Sequence, residues 1–245
     1  MVDARPLTQL AELLGMGPHE HVATVGGGGK TTVMHALGQQ LTGTRVITST
    51  TKMGHDQERG LPVLLDPSPT EVASAAAAGP VVVWGAIDGQ KAIGVSPDAC
   101  DSWFDLVDHV VIEADGSRRR PFKAPADYEP VVPSSTTVMV SVIGADALGR
   151  VIADQCHRPL RVAAVAGCQP YERLSPAHAA TVLLSDRGAR KELPDGGRLA
   201  IVVNKVGGAN EPFVADLIAE LAAREPEVVV VPLAFDDRLA SEEPT

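Results

Sequence analysis

Aromatic residues are scarce in this chain of 245 residues: Phe, Trp and Tyr together make up 3%. Its core therefore has to be aliphatic, built from Val, Ala, Leu and Ile. Cysteine is sparse too. The three present, Cys100, Cys156 and Cys168, are odd in number and form no CxxC pair, which excludes a disulfide framework and fits a reducing compartment. Positive charge is in deficit, with 21 Lys and Arg against 31 Asp and Glu and a formal net charge of −10. That argues against a general nucleic-acid binder or a protein of acidic membrane surfaces. No apolar run reaches the roughly 18 residues of a membrane span. The opening MVDARPLTQLAELLG has an early Asp and no apolar centre of a signal-peptide kind. The expectation is a cytoplasmic protein with no nucleic-acid or membrane partner; nothing in the sequence speaks to its oligomeric state.

What is present is 44% hydrophobic residues, enough for a packed globular fold. Short apolar stretches without alternation recur at His21–Val25, Arg45–Ser49, Leu61–Leu65, Val81–Trp84, Asp108–Glu113, Thr137–Ile143, Arg198–Val203 and Glu227–Val231. Strands covered on both faces read this way. Between them lie helical patterns: Pro6–Leu14, Lys30–Leu41 with Gly43 as its C-terminal glycine, and Thr70–Ala78 behind Ser68-Pro69. Ser96-Pro97 opens another as far as Leu106 and Ser175-Pro176 one as far as Leu184. Asn210 is expected to cap a last helix with Phe213, Val214, Leu217, Ile218 and Leu221 on one face. Asp88-Gly89 predicts a hairpin turn. The alternation of strand and helix predicts an α/β fold, a mainly parallel sheet flanked by helices and P-loop NTPase-like. A single domain over 1–245 is the simplest division, with an elaboration at about 50–106.

Four successive glycines, Gly26, Gly27, Gly28 and Gly29, follow the first strand and precede Lys30, Thr31 and Thr32 and a helix. Glycine loses more backbone freedom on folding than any other residue, so four in a row need a reason. A strand, glycine loop, lysine, hydroxyl and helix is the phosphate-binding order of P-loop proteins. Backbone N–H groups then meet a phosphate at the positive end of a helix. Lys30 would reach the β- and γ-phosphates, and Thr31 would place its hydroxyl on Mg²⁺. The loop departs from GxxxxGK[ST], since Thr24 stands at the first glycine; the shorter GxxGKT resembles the loop of Mur-type amide ligases. The competing reading is a glycine-rich turn with an incidental lysine.

The strand VVIE ends in Glu113 and Asp115, two carboxylates two residues apart and so on one face of an extended chain. They are the candidates for Mg²⁺ with Thr31, and for orienting a water or nucleophile, against the alternative of solvated acids at a strand end. Arg118, Arg119, Arg120 and Lys123 follow at once. Four cations in six residues suit a second, anionic molecule beside the nucleotide, or else form a solvated basic turn. Asn204-Lys205 looks like the start of the base-reading NKxD element of GTPases, but Gly207 stands where its Asp belongs. ATP is therefore the first expectation for the nucleotide and GTP the second; a polar strand end is the plain alternative. Cys156 next to His157 suggests a thiol of lowered pKa, with an inert free cysteine as the better reading.

These blocks together resemble a known family. Thr50-Thr51-Lys52-Met53 follows the second strand. Glu113-Ala114-Asp115-Gly116-Ser117 is followed by Pro121, Lys123-Ala124-Pro125 and Glu129-Pro130-Val131-Val132-Pro133, and later by His157-Arg158-Pro159. With the glycine loop, over about 20–205, this is similar to the YqeC-type accessory proteins linked to selenium-dependent molybdenum hydroxylases. The resemblance implies a nucleotide-binding protein that helps mature a molybdenum hydroxylase or its molybdopterin-type cofactor; whether selenium takes part is left open by it. It adds Glu129, His157 and Arg158 to Arg118, Arg119 and Lys123 as candidate substrate contacts. Lys30, Glu113 and Asp115 are then the catalytic candidates, and Gly26–Gly29, Lys30, Thr31, Thr32, Asn204 and Lys205 the nucleotide site. The favoured reading is an ATP- or GTP-dependent enzyme of P-loop type, a hydrolase or transferase; its two rivals are a nucleotide-gated carrier or chaperone and a Mur-like ligase.

Overall fold

The computed structural model describes residues 2–235. Eight strands form one parallel sheet: β1 Glu20–Gly26, β2 Arg45–Ser49, β3 Val63–Leu65, β4 Val81–Trp84, β5 His109–Glu113, β6 Val138–Gly144, β7 Arg198–Val206 and β8 Val229–Ala234. Their order across the sheet is β8-β7-β6-β1-β5-β2-β4-β3, and every pairing is parallel. The glycine loop thus leaves the middle of the sheet, with β5 on one side of β1 and β6 on the other. Residues within a strand alternate between two cores. Ala23 and Val25 of β1 pack with Val110 and Ile112 of β5 in one. Val22 and Val111 face the other, where Val33, Met34 and Leu37 cover them. Apolar burial on both faces is what the unbroken Val/Ile runs required.

The main helices are α1 Lys30–Gln40, α2 Pro69–Ala76, α3 Pro97–Phe104, α4 Pro159–Ala166, α5 Pro176–Leu184 and α6 Glu211–Arg224. Three of them start where Ser-Pro pairs said they would. Ser68, Ser96 and Ser175 each accept a hydrogen bond from a backbone N–H three residues on, and a proline occupies the first turn. The hairpin at Asp88-Gly89 is present as well, with Ala86–Asp88 antiparallel to Lys91–Ile93. Within residues 50–106, β3 and β4 extend the main sheet, and Met53–Gly54, Ala86–Asp88 and Lys91–Ile93 form a small antiparallel sheet of their own.

Several local expectations are corrected. The N-terminal helix is a 3₁₀ turn at Leu7–Gln9 followed by one α-turn at Leu10–Leu13. α1 ends at Gln40 and Leu41 is already extended. Gly43, with φ +85°, serves instead a turn packed on Asp108. Asn210 does not cap α6 with its side chain: its Oδ1 accepts the Gly207 N–H and its Nδ2 donates to Lys205 O, both at 3.0 Å. The strand expected to stop at Val203 runs on to Val206, so Asn204 and Lys205 lie within β7. Helix α4 and the two-residue ladder of Phe122–Lys123 with Cys156–His157 were not anticipated.

Candidate functional site

The glycine loop is a backbone-to-backbone packing surface. Gly28 has φ +81°, a conformation that costs glycine little and other residues much. A Cβ there would lie 2.2 Å from Gly144 N at the end of β6, and one at Gly27 would lie 2.4 Å from Arg120 O. Gly27 N–H donates to Val142 O (2.8 Å) and Gly28 N–H to Arg120 O (3.1 Å). The loop is therefore clasped between β6 and the segment after Asp115, and α1 starts directly behind it. The first N–H groups of a helix have no intrahelical acceptor. At α1 these belong to Lys30, Thr31 and Thr32, which form a positive, donor-rich end.

Lys30 folds back under the loop. Its Nζ donates to Gly26 O (2.9 Å) and lies 3.3 Å from Asp115 Oδ1 and 3.6 Å from Glu113 Oε1. Burial opposes its charge, but Glu113 and Asp115 outweigh that and hold its pKa above the ordinary lysine value. Thr31 Oγ1 donates to Glu113 Oε2 at 2.7 Å. The two acids therefore differ in role despite sharing a strand end. Glu113 faces the Thr31 hydroxyl. Asp115 is locked in place, with Oδ2 accepting Gly26 N–H (3.1 Å) and lying 3.0 Å from Lys123 Nζ.

From Asp115 the charges continue. Lys123 is 4% exposed, and its ammonium is taken by Gly116 O (2.7 Å), Glu129 Oε2 (2.7 Å) and Asp115. Glu129 in turn receives the Arg158 guanidinium in bidentate fashion, Nη1 to Oε2 at 2.8 Å and Nη2 to Oε1 at 3.1 Å. Burial would raise the Glu129 pKa, yet Lys123 and Arg158 hold it below the usual carboxylate value. Glu113, Lys30, Asp115, Lys123, Glu129 and Arg158 thus form one chain of alternating sign, three acids against three bases. A balanced, hydrogen-bonded set is the form in which charges are tolerated in an interior. Arg158 holds its place with φ +55° at the start of α4, and its Nη2 also donates to Tyr128 Oη at 3.1 Å.

The other predicted residues lie around this chain of charges. Arg118 and Arg119 are exposed at the site's mouth, in successive left-handed conformations. His157 stands opposite Lys123 in the short ladder, and its Nε2 pairs with Arg158 Nη1 at 2.8 Å. Burial, with help from Arg158 and Lys123, lowers its pKa to about 4, so the ring is neutral at pH 7 and Nε2 is the acceptor. Asn204 Nδ2 donates to Gly28 O (2.8 Å) and braces the loop, while Lys205 lies 3.8 Å from Asp146 Oδ2. Thr32 Oγ1 accepts from Arg59 Nη2 at 3.4 Å. Cys156 is buried with its thiol pushed up to about 12, chiefly by that burial. It is no thiolate, in line with the inert-cysteine reading.

Sequence reasoning missed Lys191, whose Nζ donates to the backbone oxygens of Ala126, Asp127 and Glu129 and so fixes the segment carrying Glu129. It also missed a cleft of about 160 Å³ next to that segment, lined by Arg161, Arg187, Lys191, Asp127 and Asp186. Nothing near Lys191 in the sequence marks it, since its partners lie more than sixty residues away.

Mg²⁺ is bound through one or two carboxylates and keeps several waters. Thr31 and Glu113 fit that donor set; Asp115 does not, because Lys30, Lys123 and a backbone N–H surround it. No group of three or more His, Cys, Asp or Glu able to hold a metal ion exists among the described residues. No helix among them is long and apolar enough to cross a membrane.

Three comparisons bear on this site. A family model described as YqeC protein matches residues 22–160, which carry the glycine loop, both acids, Lys123, Glu129, His157 and Arg158. A protein of Escherichia coli (strain K12) named Uncharacterized protein YqeC is 29% identical over 218 residues, covering 85% of this chain and 85% of its own. No solved structure matches the chain.

Proposed function

We propose, from the premise that the chain belongs to the YqeC family, that it binds a nucleoside triphosphate with Mg²⁺ and couples it to a second, anionic ligand. The carrying observation is that Lys30 and Thr31 both reach Glu113 from the start of α1, beneath a loop built without Cβ atoms. Lys30 would leave Gly26 O and Asp115 for the terminal phosphates, and the helix N-terminus would take phosphate oxygens. Thr31 and Glu113 would hold Mg²⁺, which when bound neutralises phosphate charge. The second ligand belongs at the mouth formed by Arg118, Arg119, His157 and Arg158. A molybdopterin-type cofactor carries a phosphate that suits these groups. Assistance in maturing a molybdenum hydroxylase, with or without selenium, is the role that follows from the family resemblance.

One observation favours a carrier over a catalyst with vigorous turnover. Asp115 is held between two lysines, and its one oxygen without a hydrogen bond, Oδ1, is buried and out of a nucleophile's reach. Nucleotide binding would then gate the second ligand, with slow hydrolysis as reset. The test is titration with ATP-Mg²⁺ and GTP-Mg²⁺ by calorimetry, together with phosphate release. In Lys30→Ala, affinity should fall by about tenfold or more, as for loss of a charged hydrogen-bonding group. In Glu113→Gln, the Mg²⁺ dependence should weaken. Unchanged affinity and Mg²⁺ dependence in both variants would remove the nucleotide reading.

A further inference from the structure

We infer that Asp146 and Lys205 read the base of the nucleotide and select guanine over adenine. This rests on the nucleotide reading above and adds the identity of the base. The first ground is position. Glu113 and the Thr31 hydroxyl lie on the β5 side of β1, so the terminal phosphates belong on that side. A polyphosphate lying along the glycine loop leaves its nucleoside end on the opposite side, at the C-terminal ends of β6 and β7. There the loop backbone meets Gly144, and a Cβ on Gly144 would lie 2.2 Å from Asp146 Oδ1. Gly144 thus packs on the glycine loop at Gly28 and stands next to the Asp146 carboxylate. Asn204 closes the same corner through Gly28 O.

The second ground is availability. Asp146 accepts no hydrogen bond from any described residue; its side chain is 49% exposed and Lys205, 3.8 Å away, is 38% exposed. Lys205 holds a left-handed backbone, φ +62°, which costs a non-glycine residue energy and marks positions whose geometry is imposed by their surroundings. The third ground is chemistry. A carboxylate only accepts hydrogen bonds. Guanine presents a ring N–H and an adjacent exocyclic amine, two parallel donors that one carboxylate takes together. Adenine presents a ring-nitrogen lone pair at that place and is repelled. Glycine at position 207 supplies no acid, and Asp146, just beyond the end of the neighbouring strand β6, supplies it instead. The Lys205 stem offers an apolar wall for the base.

The test is titration of the full chain with GTP-Mg²⁺, ATP-Mg²⁺ and xanthosine triphosphate-Mg²⁺, in the parent and in Asp146→Asn. The parent should prefer GTP to ATP by at least about tenfold, the scale of one charged hydrogen bond. Asp146→Asn should lose about tenfold or more for GTP and gain for xanthosine triphosphate, while ATP, relieved of the carboxylate's repulsion, should not weaken. The gain arises because the amide donates to the xanthine oxygen that the carboxylate repels. Asp146 is half exposed, so the variant should fold, which circular dichroism checks. Equal affinity for GTP and ATP in the parent, or an unaltered order of bases in Asp146→Asn, overturns the inference and leaves the nucleotide reading standing. A parent that binds none of the three overturns both.

Discussion

Lys123→Met is the sharpest test of the alternating charge chain. Methionine keeps the unbranched stem and roughly the volume but removes the ammonium. Three acceptors lose their partner at once: Gly116 O, Glu129 Oε2 and Asp115 Oδ2. Breaking a buried pair from one side costs about 3–5 kcal/mol, because the remaining charge is left uncompensated. Here each carboxylate keeps a second partner, Lys30 and Gly26 N–H for Asp115 and Arg158 for Glu129, which places the expected loss near 3 kcal/mol. Urea unfolding followed by circular dichroism at pH 7 measures it. Adding Glu129→Gln to the variant removes one of the stranded charges and should restore about 1–2 kcal/mol, the coupling expected of contacting residues. The deficit should also shrink as pH falls. Without Lys123, burial pushes the Glu129 carboxyl upward from its lowered value, and protonation then relieves the uncompensated charge at a higher pH than in the parent. A deficit below about 1 kcal/mol at pH 7, or one that grows on acidification, refutes the reasoning. The result also bears on the role first expected for Lys123, contact with the second ligand. An ammonium already filled by three protein acceptors positions Asp115 and Glu129 instead.

The exposed arginines should behave differently. Arg118→Ala and Arg119→Ala are expected to change stability by less than about 0.5 kcal/mol and nucleotide affinity little. At least one of them should weaken binding of a molybdopterin-type cofactor, followed by fluorescence, by about tenfold; two variants with parental affinity would place that ligand elsewhere. Acid should destabilise the fold well above the carboxylate range. His21 and His35 are buried, and burial lowers the pKa of each to about 4 from an ordinary 6.5. A histidine with a depressed folded pKa lets the unfolded chain bind more protons between those values. Its contribution is complete above 6.5 and is lost as pH falls toward 4. Each should cost about 2 kcal/mol between pH 7 and 5. Urea midpoints at the two pH values decide this, and a flat profile excludes it.

The sheet was legible because its strands are buried on both faces, so composition alone marks them: VVIE of β5 and RLAIVV of β7 have no polar alternation to confuse the reading. The helices opened by Ser-Pro were legible for a local reason, a side-chain oxygen and a fixed φ at the first turn. α4 lacked such a signal. It starts after Arg158 in a left-handed conformation with no side-chain cap, and its sequence was absorbed into the His157-Arg158-Pro159 block. The charge chain was half legible. Lys30, Glu113, Asp115, Lys123, Glu129 and Arg158 were all singled out, but their order was not, because each link joins segments held together only by the sheet. Two carboxylates on one strand end looked equivalent; in the fold one faces a hydroxyl and the other faces two ammonium groups.

The four glycines carry two demands at once. The phosphate argument needs the loop backbone bare so that an anion can approach. The packing shows a second need. Gly26 would set a Cβ 2.4 Å from Val142 O, Gly27 2.4 Å from Arg120 O, Gly28 2.2 Å from Gly144 N and Gly29 2.3 Å from Asn204 Nδ2. Three of these are backbone atoms of β6 and of the segment after Asp115, which a rotamer change cannot move. The loop is thus held by the same elements that deliver Asp115, Arg120 and Asn204 to it. A site preorganised in this way spends its ordering entropy during folding and not on ligand arrival. That is why a run of residues costly to order is compatible with a well-defined binding surface: the fold has already fixed their backbone before any phosphate reaches it.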